Sequence, residues 1–134
     1  MNNELRPGTA GPDWPWYRGK TFSPAKRAGN LLFISGLDSR DQATGKMIAG
    51  TIAEQCDVIY RAMGEILHSA GADFQDVVMT TEYIADPEGY AETARVRERY
   101  LGPDFPAAAG VIVKGLLGRG ALIEISAVAV VRQP

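Results

Sequence analysis

The 134-residue chain has one cysteine and one histidine. Cys56 alone cannot form an internal disulfide, and with His68 it makes no metal site of familiar spacing. No metal and no organic cofactor is expected. A dominant charge is also missing: 14 Lys and Arg stand against 16 Asp and Glu, a net charge of -2. The longest basic cluster is Lys26-Arg27, and Arg95, Arg97 and Arg99 are interleaved with Glu92 and Glu98. That balance excludes nucleic acid as the expected partner, because a phosphate backbone selects clustered Lys and Arg. No apolar run approaches the roughly 20 residues of a spanning helix. Met1 to Pro7 lacks the apolar stretch of a signal peptide. A cytoplasmic protein without a membrane partner is the expectation. Gly115 to Gly120 fits neither the P-loop nor the dinucleotide pattern. There is no Gly-x-Ser-x-Gly elbow and no HExxH, and one helical histidine leaves no Ser/His/Asp set.

What remains is ordinary globular material, 46% hydrophobic and 22% charged. A chain of this length suits one domain that buries about two-thirds of its unfolded surface. Residues 1–20 are rich in Pro, Gly and aromatics and read as an irregular N-terminal arm, with a single domain over 21–134. Trp14 and Trp16, the only tryptophans, lie in that arm. They either pack the arm onto the domain or a neighbouring subunit, or wall a ligand pocket.

Leu31 to Gly36 is a short apolar run and predicts a buried strand. Asp41 to Lys46 predicts a turn. Thr51 and Glu54 have capping-box spacing. Ile52, Cys56, Ile59, Met63, Ile66 and Ala70 then recur at helical steps, and Gly71 ends the helix. Cys56 falls on the apolar stripe as a core residue, and His68 falls off it near the helix end. Phe74 to Ala85 alternates as a strand, with Val77, Met79, Thr81 and Tyr83 on one face and Val78, Thr80, Glu82 and Ile84 on the other. Asp86-Pro87 opens a second helix to about Leu101, with a thin apolar face of Tyr90, Ala94, Tyr100 and Leu101 and a solvated charged face. Ala107–Lys114 and Ala121–Val131 are strands joined by a crossover or hairpin loop. The order strand, strand, helix, strand, helix, strand, strand gives a two-layer α+β domain, a mixed sheet with two helices on one face. Its other face keeps apolar residues, so a closed homo-oligomer is expected.

The last strand carries the chemical signal. Glu124 sits between Ile123 and Ile125 in a run otherwise built for burial. A lone ionised carboxylate out of water costs several kcal/mol or more unless it is paired, hydrogen-bonded or protonated. Glu124 is therefore at a solvated edge or kept for a purpose.

Five blocks, Ala28 to Gly36, Ala43 to Lys46, Asp76 to Thr81, Phe105-Pro106-Ala107 and Ile123-Glu124-Ile125 followed by Ala127 to Val130, occur in an order that resembles the RidA/YjgF family. That family is also called the reactive-intermediate deaminase or endoribonuclease L-PSP family. The resemblance covers roughly Phe22 to Val131. It implies a chorismate-mutase-like fold, a homotrimer with a central barrel, and small-molecule clefts between subunits. In deaminating members such clefts hydrolyse imines and enamines such as 2-aminoacrylate. An arginine holds the substrate carboxylate, a glutamate of the last strand serves the attacking water, and a first-strand tyrosine and backbone near the Ser-Gly turn complete the pocket.

By that resemblance Glu124 is the candidate catalytic residue, and Gly36 and the backbone near Gly110 carry over. Ala108 stands where the arginine is expected, Phe22 where the tyrosine is, and Ala94 where a helix asparagine is. A methyl group cannot replace a guanidinium that grips a carboxylate with two hydrogen bonds. The expected substrate is therefore not 2-aminoacrylate but a neutral or weakly charged imine, enamine or related unsaturated compound. A larger, more apolar cleft lined by Phe22, Trp16 and Ala108 would raise the pKa of Glu124. Arg119, in the loop before the last strand, is the candidate replacement cation, with Lys114, Lys26 and Arg27 as further ones. The alternative reading is a non-catalytic trimer that binds a metabolite or acts like a chaperone. A ribonuclease, suggested by the family's older name, is disfavoured by the charge balance.

Overall fold

A computed structural model describes residues 8–132. Its strands are β1 (Gly8–Ala10), β2 (Ala25–Ala28), β3 (Leu31–Leu37), β4 (Val77–Ile84), β5 (Ala107–Ile112) and β6 (Ile123–Val130). Helices α1 (Ile52–Ser69) and α2 (Thr93–Leu101) lie between β3 and β4 and between β4 and β5. The six strands form one sheet in the order β1-β2-β3-β6-β4-β5. All neighbours are antiparallel except β4 and β5, which run parallel. The fold is the expected α+β arrangement, a mixed sheet with two helices.

The capping box of α1 is present: the Thr51 hydroxyl accepts from the Glu54 amide, and the Glu54 carboxylate accepts from the Thr51 amide. Ile52, Cys56, Ile59, Met63 and Ile66 are buried with Leu32 and Ile34 of β3 and Ile123, Ile125, Ala127 and Ala129 of β6 in one core. Each such aliphatic side chain contributes about 1.5–3 kcal/mol on leaving water. The alternate β6 residues Glu124, Ser126, Val128 and Val130 lie on the opposite face and are half-buried. That face also leaves Leu31 and Phe33 of β3 and Val111 of β5 exposed.

The structure departs from the sequence reading at four places. The arm is not wholly irregular: β1 pairs with β2, and Pro15–Tyr17 makes a turn of 3-10 helix. β4 starts three residues later than expected, because Asp73 caps a 3-10 turn over Phe74–Asp76. A register shift between Val77 and Met79 then puts Val77 in the core and leaves Val78 exposed, against strict alternation. α2 begins only at Thr93, since Gly89 takes a left-handed conformation and interrupts the segment. Its buried residues are Thr93, Val96 and Leu101, and Ala94 is exposed. Between the two readings left open for the last link, crossover and hairpin, the structure takes the crossover: β5 and β6 do not pair with each other. β4 lies between them, so Gly115 to Gly120 belongs to a crossover.

Candidate functional site

Glu124 opens onto a cavity of about 340 Å³ lined by Trp16, Tyr17, Lys20, Phe22, Gly36, Asp38, Arg40, Gln42 and Leu117, among others. Four segments meet there: the arm and the approach to β2, the end of β3 with the turn after it, the loop before β6, and the start of β6. The shift in β3–β6 pairing between Ile34 and Leu37 brings Gly36 against the Glu124 side chain. A Cβ on residue 36 would collide with the Glu124 carboxylate, so only glycine permits this approach.

The turn after β3 is built around Arg40. Its Nε donates to Asp38 Oδ1 at 3.1 Å and its Nη2 to Asp38 Oδ2 at 2.9 Å. Its Nη1 donates to the Gly45 carbonyl at 2.9 Å. The guanidinium lies 4.4 Å from the centroid of Trp16. Gly45, at φ +79, carries no side chain where the Trp16 ring packs, and a Cβ there would strike the indole. The Trp16 amide donates to the Gln42 carbonyl at 2.9 Å. Trp16, Tyr17 and Phe22 form one aromatic wall, with centroid separations of 4.9 to 5.8 Å.

These surroundings set the proton affinities. Partial burial pushes the Glu124 carboxyl above its ordinary value, Asp38 adds to the rise, and Arg40 opposes it. Burial and the carboxylate of Asp38 push the Tyr17 phenol up to about 12, so it stays a hydrogen-bond donor. Among the described residues no group of three or more His, Cys, Asp or Glu is arranged to hold a metal ion.

The structure brings Glu124, Gly36, Phe22 and Trp16 together in this pocket. It does not bring Ala108 and Gly110 to it. Both lie on β5, two strands from β6, aligned with Thr80 and Glu82 of the helix-facing side, whereas Glu124 is aligned with Tyr83 on the other face. Arg119 is exposed and outside the lining, which takes Leu117 and Gly118 from that loop instead.

Two features escaped the sequence reading. The first is the pair of cations, Lys20 and Arg40, that line the same pocket as Glu124, with Arg40 acting on its carboxyl. The short spacing Asp38-x-Arg40 next to the predicted turn was the available signal. The second lies under β5. Glu82 is buried, accepts from the Tyr90 hydroxyl, and pairs with Arg97 Nη1 at 3.2 Å. Arg97 Nη1 also donates to the Thr93 hydroxyl at 2.7 Å. Arg97 is thus no solvated surface charge, as an interleaved charge run had suggested. A carboxylate on the buried parity of β4 was the clue to a partner on α2.

Residues 18–131 match the family described as "Endoribonuclease L-PSP". The chain is 35% identical to the human "2-iminobutanoate/2-iminopropanoate deaminase" over 124 residues, covering 92% of this chain and 83% of that protein. It is 36% identical to a RutC family protein of Pyrococcus horikoshii, covering 81% of this chain and 85% of that one. Its fold superposes on the crystal structure of a Rid-family protein from Yersinia pestis with a TM-score of 0.85, at 24% identity, covering 94% of this chain and 100% of that one.

Proposed function

Because this chain belongs to the endoribonuclease L-PSP family, the RidA/YjgF family, we propose that it is a deaminase that hydrolyses an imine or enamine with Glu124 as acid and base. The observation that supports this reading is a half-buried carboxylate with a raised pKa, held against Gly36 at the wall of an aromatic pocket. A carboxyl shifted upward exchanges protons more readily near neutral pH than an ordinary one. Water adds through oxygen to the imine carbon while Glu124 accepts one of its protons and delivers it to the nitrogen. The resulting carbinolamine passes its hydroxyl proton through the same carboxylate to the amine. Ammonia leaves and a carbonyl compound remains. An enamine enters after protonation at carbon and loss of an N–H proton convert it to the imine.

The substrate differs from 2-aminoacrylate in this proposal, because the β5 position expected to grip a carboxylate is Ala108. Ala108 and the Glu124 pocket lie on different faces of one chain's sheet. A cleft between copies is the arrangement in which both contribute. The exposed Leu31, Phe33 and Val111 supply an apolar surface for such a closed homotrimer.

The test is turnover of a panel of freshly generated imines, read as ammonia release. Wild type is expected to hydrolyse at least one, with a pH profile that reports one carboxylate. Glu124→Gln is expected to reduce that rate by about a hundredfold or more, in the range typical of a lost general acid–base group. Binding without turnover of any imine, unaltered by Glu124→Gln, would establish the non-catalytic alternative.

A further inference from the structure

The two-residue alternation of β3 continues past its end. Leu37 and Ser39 are buried, so Gly36, Asp38 and Arg40 fall on the opposite side, the side of Glu124. Leu37 is aligned with Ile125, and that register, carried one residue on, sets Asp38 across from Glu124. Two carboxylates thus meet across neighbouring strands, an arrangement that repels when both are charged. Arg40 is committed to one of them, gripping Asp38 through Nε and Nη2. The pair is fixed on three sides: by the Gly45 carbonyl, by the Trp16 ring, and by Gly118, where a Cβ would strike both side chains. Their side chains are only 13% and 17% exposed. The other titratable groups around Glu124 are Tyr17 and Lys20 of the arm and Tyr83 of β4, which is aligned with it.

We propose that the Asp38–Arg40 pair governs Glu124: fixed across the strand from the carboxyl, it sets how readily Glu124 takes and gives up a proton, and it acts only through Glu124. Both are positioning residues. This rests on the reading of Glu124 as acid and base and deepens it by naming what regulates that carboxyl. Burial favours the protonated form of Glu124 most, Asp38 adds to this by repulsion, and Arg40 favours the ionised form by attraction. Holding the two opposed charges in one rigid pair keeps Glu124 able both to accept a proton from water and to release it to nitrogen. A purely structural role leads to a different outcome. Loosening the turn admits water, relieves burial and lowers the proton affinity of Glu124, whichever residue is changed.

The test is titration of the Glu124 side-chain carboxyl by carbon-13 NMR in the full-length protein, its signal assigned by its loss in Glu124→Gln. Arg40→Gln and Arg40→Met remove the cation and leave Asp38 unopposed. Each is expected to raise the midpoint, a gain in proton affinity of about threefold or more. Arg40→Lys keeps the charge and is expected to stay within about twofold of wild type. Asp38→Asn is expected to lower the midpoint, and by more than Trp16→Leu, which loosens the same wall but leaves both charges. A midpoint unchanged or lowered in the Arg40→Gln and Arg40→Met variants overturns the proposal, as does equal lowering by Asp38→Asn and Trp16→Leu. If Arg40→Gln and Arg40→Met do not fold, the comparison of Asp38→Asn with Trp16→Leu decides alone. The titration needs no turnover, so the two readings fail separately. Opposite shifts without turnover of any imine sink only the deaminase. Turnover abolished by Glu124→Gln, with every variant moving the midpoint in one direction, sinks only the role of the pair.

Discussion

Glu124 shows how one side chain couples stability to pH. Its folded pKa lies above its ordinary 4.5. The folded state therefore binds its proton more tightly than the unfolded state does. Stability from this group is present below about pH 4.5 and is lost as pH rises through the folded pKa. Glu124→Gln removes that dependence. The melting temperature of the variant relative to wild type is expected to rise between pH 4 and pH 7, as read by calorimetry, and a constant difference would contradict the shift. Gly36 is the companion residue. Gly36→Ala sets a methyl group against the end of the flexible Glu124 side chain, which must swing aside, and is expected to cost at most about 1 kcal/mol. Chemical denaturation measures that cost, and imine turnover is expected to fall with it.

At the scale of elements, the link between β4 and α2 adds Glu82, Tyr90 and Arg97 to the apolar core that Ile84 and Val96 share. The Glu82 side chain is 6% exposed and the Arg97 side chain 24%. Removing one partner of such a pair leaves a buried charge without compensation, while removing both does not. Arg97→Met is expected to destabilise by about 2–4 kcal/mol, and Glu82→Leu with Arg97→Met to recover most of it. Denaturant midpoints of the single and double variants decide this. α1 offers a contrasting case. Tyr60 is fully buried and stacks on Tyr100 at 5.5 Å, yet its hydroxyl has no partner among the described residues. Tyr60→Phe keeps the ring and deletes an orphaned polar atom, so a gain of about 1 kcal/mol is expected. α1 itself was legible, because its cap and stripe are local and periodic. The start of α2 was not, because Gly89 takes a left-handed conformation and Tyr90–Glu92 after it form a 3-10 turn before the helix begins at Thr93.

For the whole molecule the open question is what covers the sheet's second face. Phe33 is 45% exposed and Val111 46%. A closed trimer would bury both. Light scattering at micromolar concentration is expected to give three times the chain mass, and Phe33→Asp to shift it toward the monomer. A wild-type monomer would leave Ala108 and Gly110 without a cleft to line. The site was only partly readable from the sequence for the same reason. Glu124 and Gly36 announce themselves as a carboxylate among isoleucines and a glycine at a strand end. Lys20 carries no such mark and Arg40 only its spacing from Asp38, since their roles depend on where the arm lies.

Sequence by itself determined the α+β class, the body of α1 and the family. These follow from periodicity, capping and ordered blocks, which act between residues close along the chain. Only the tertiary structure decided that β4 separates β5 from β6, that Arg97 neutralises Glu82, and that Trp16, Tyr17 and Lys20 face Glu124. Each of those contacts joins residues far apart in sequence, and its geometry exists only once the sheet has set its order and register.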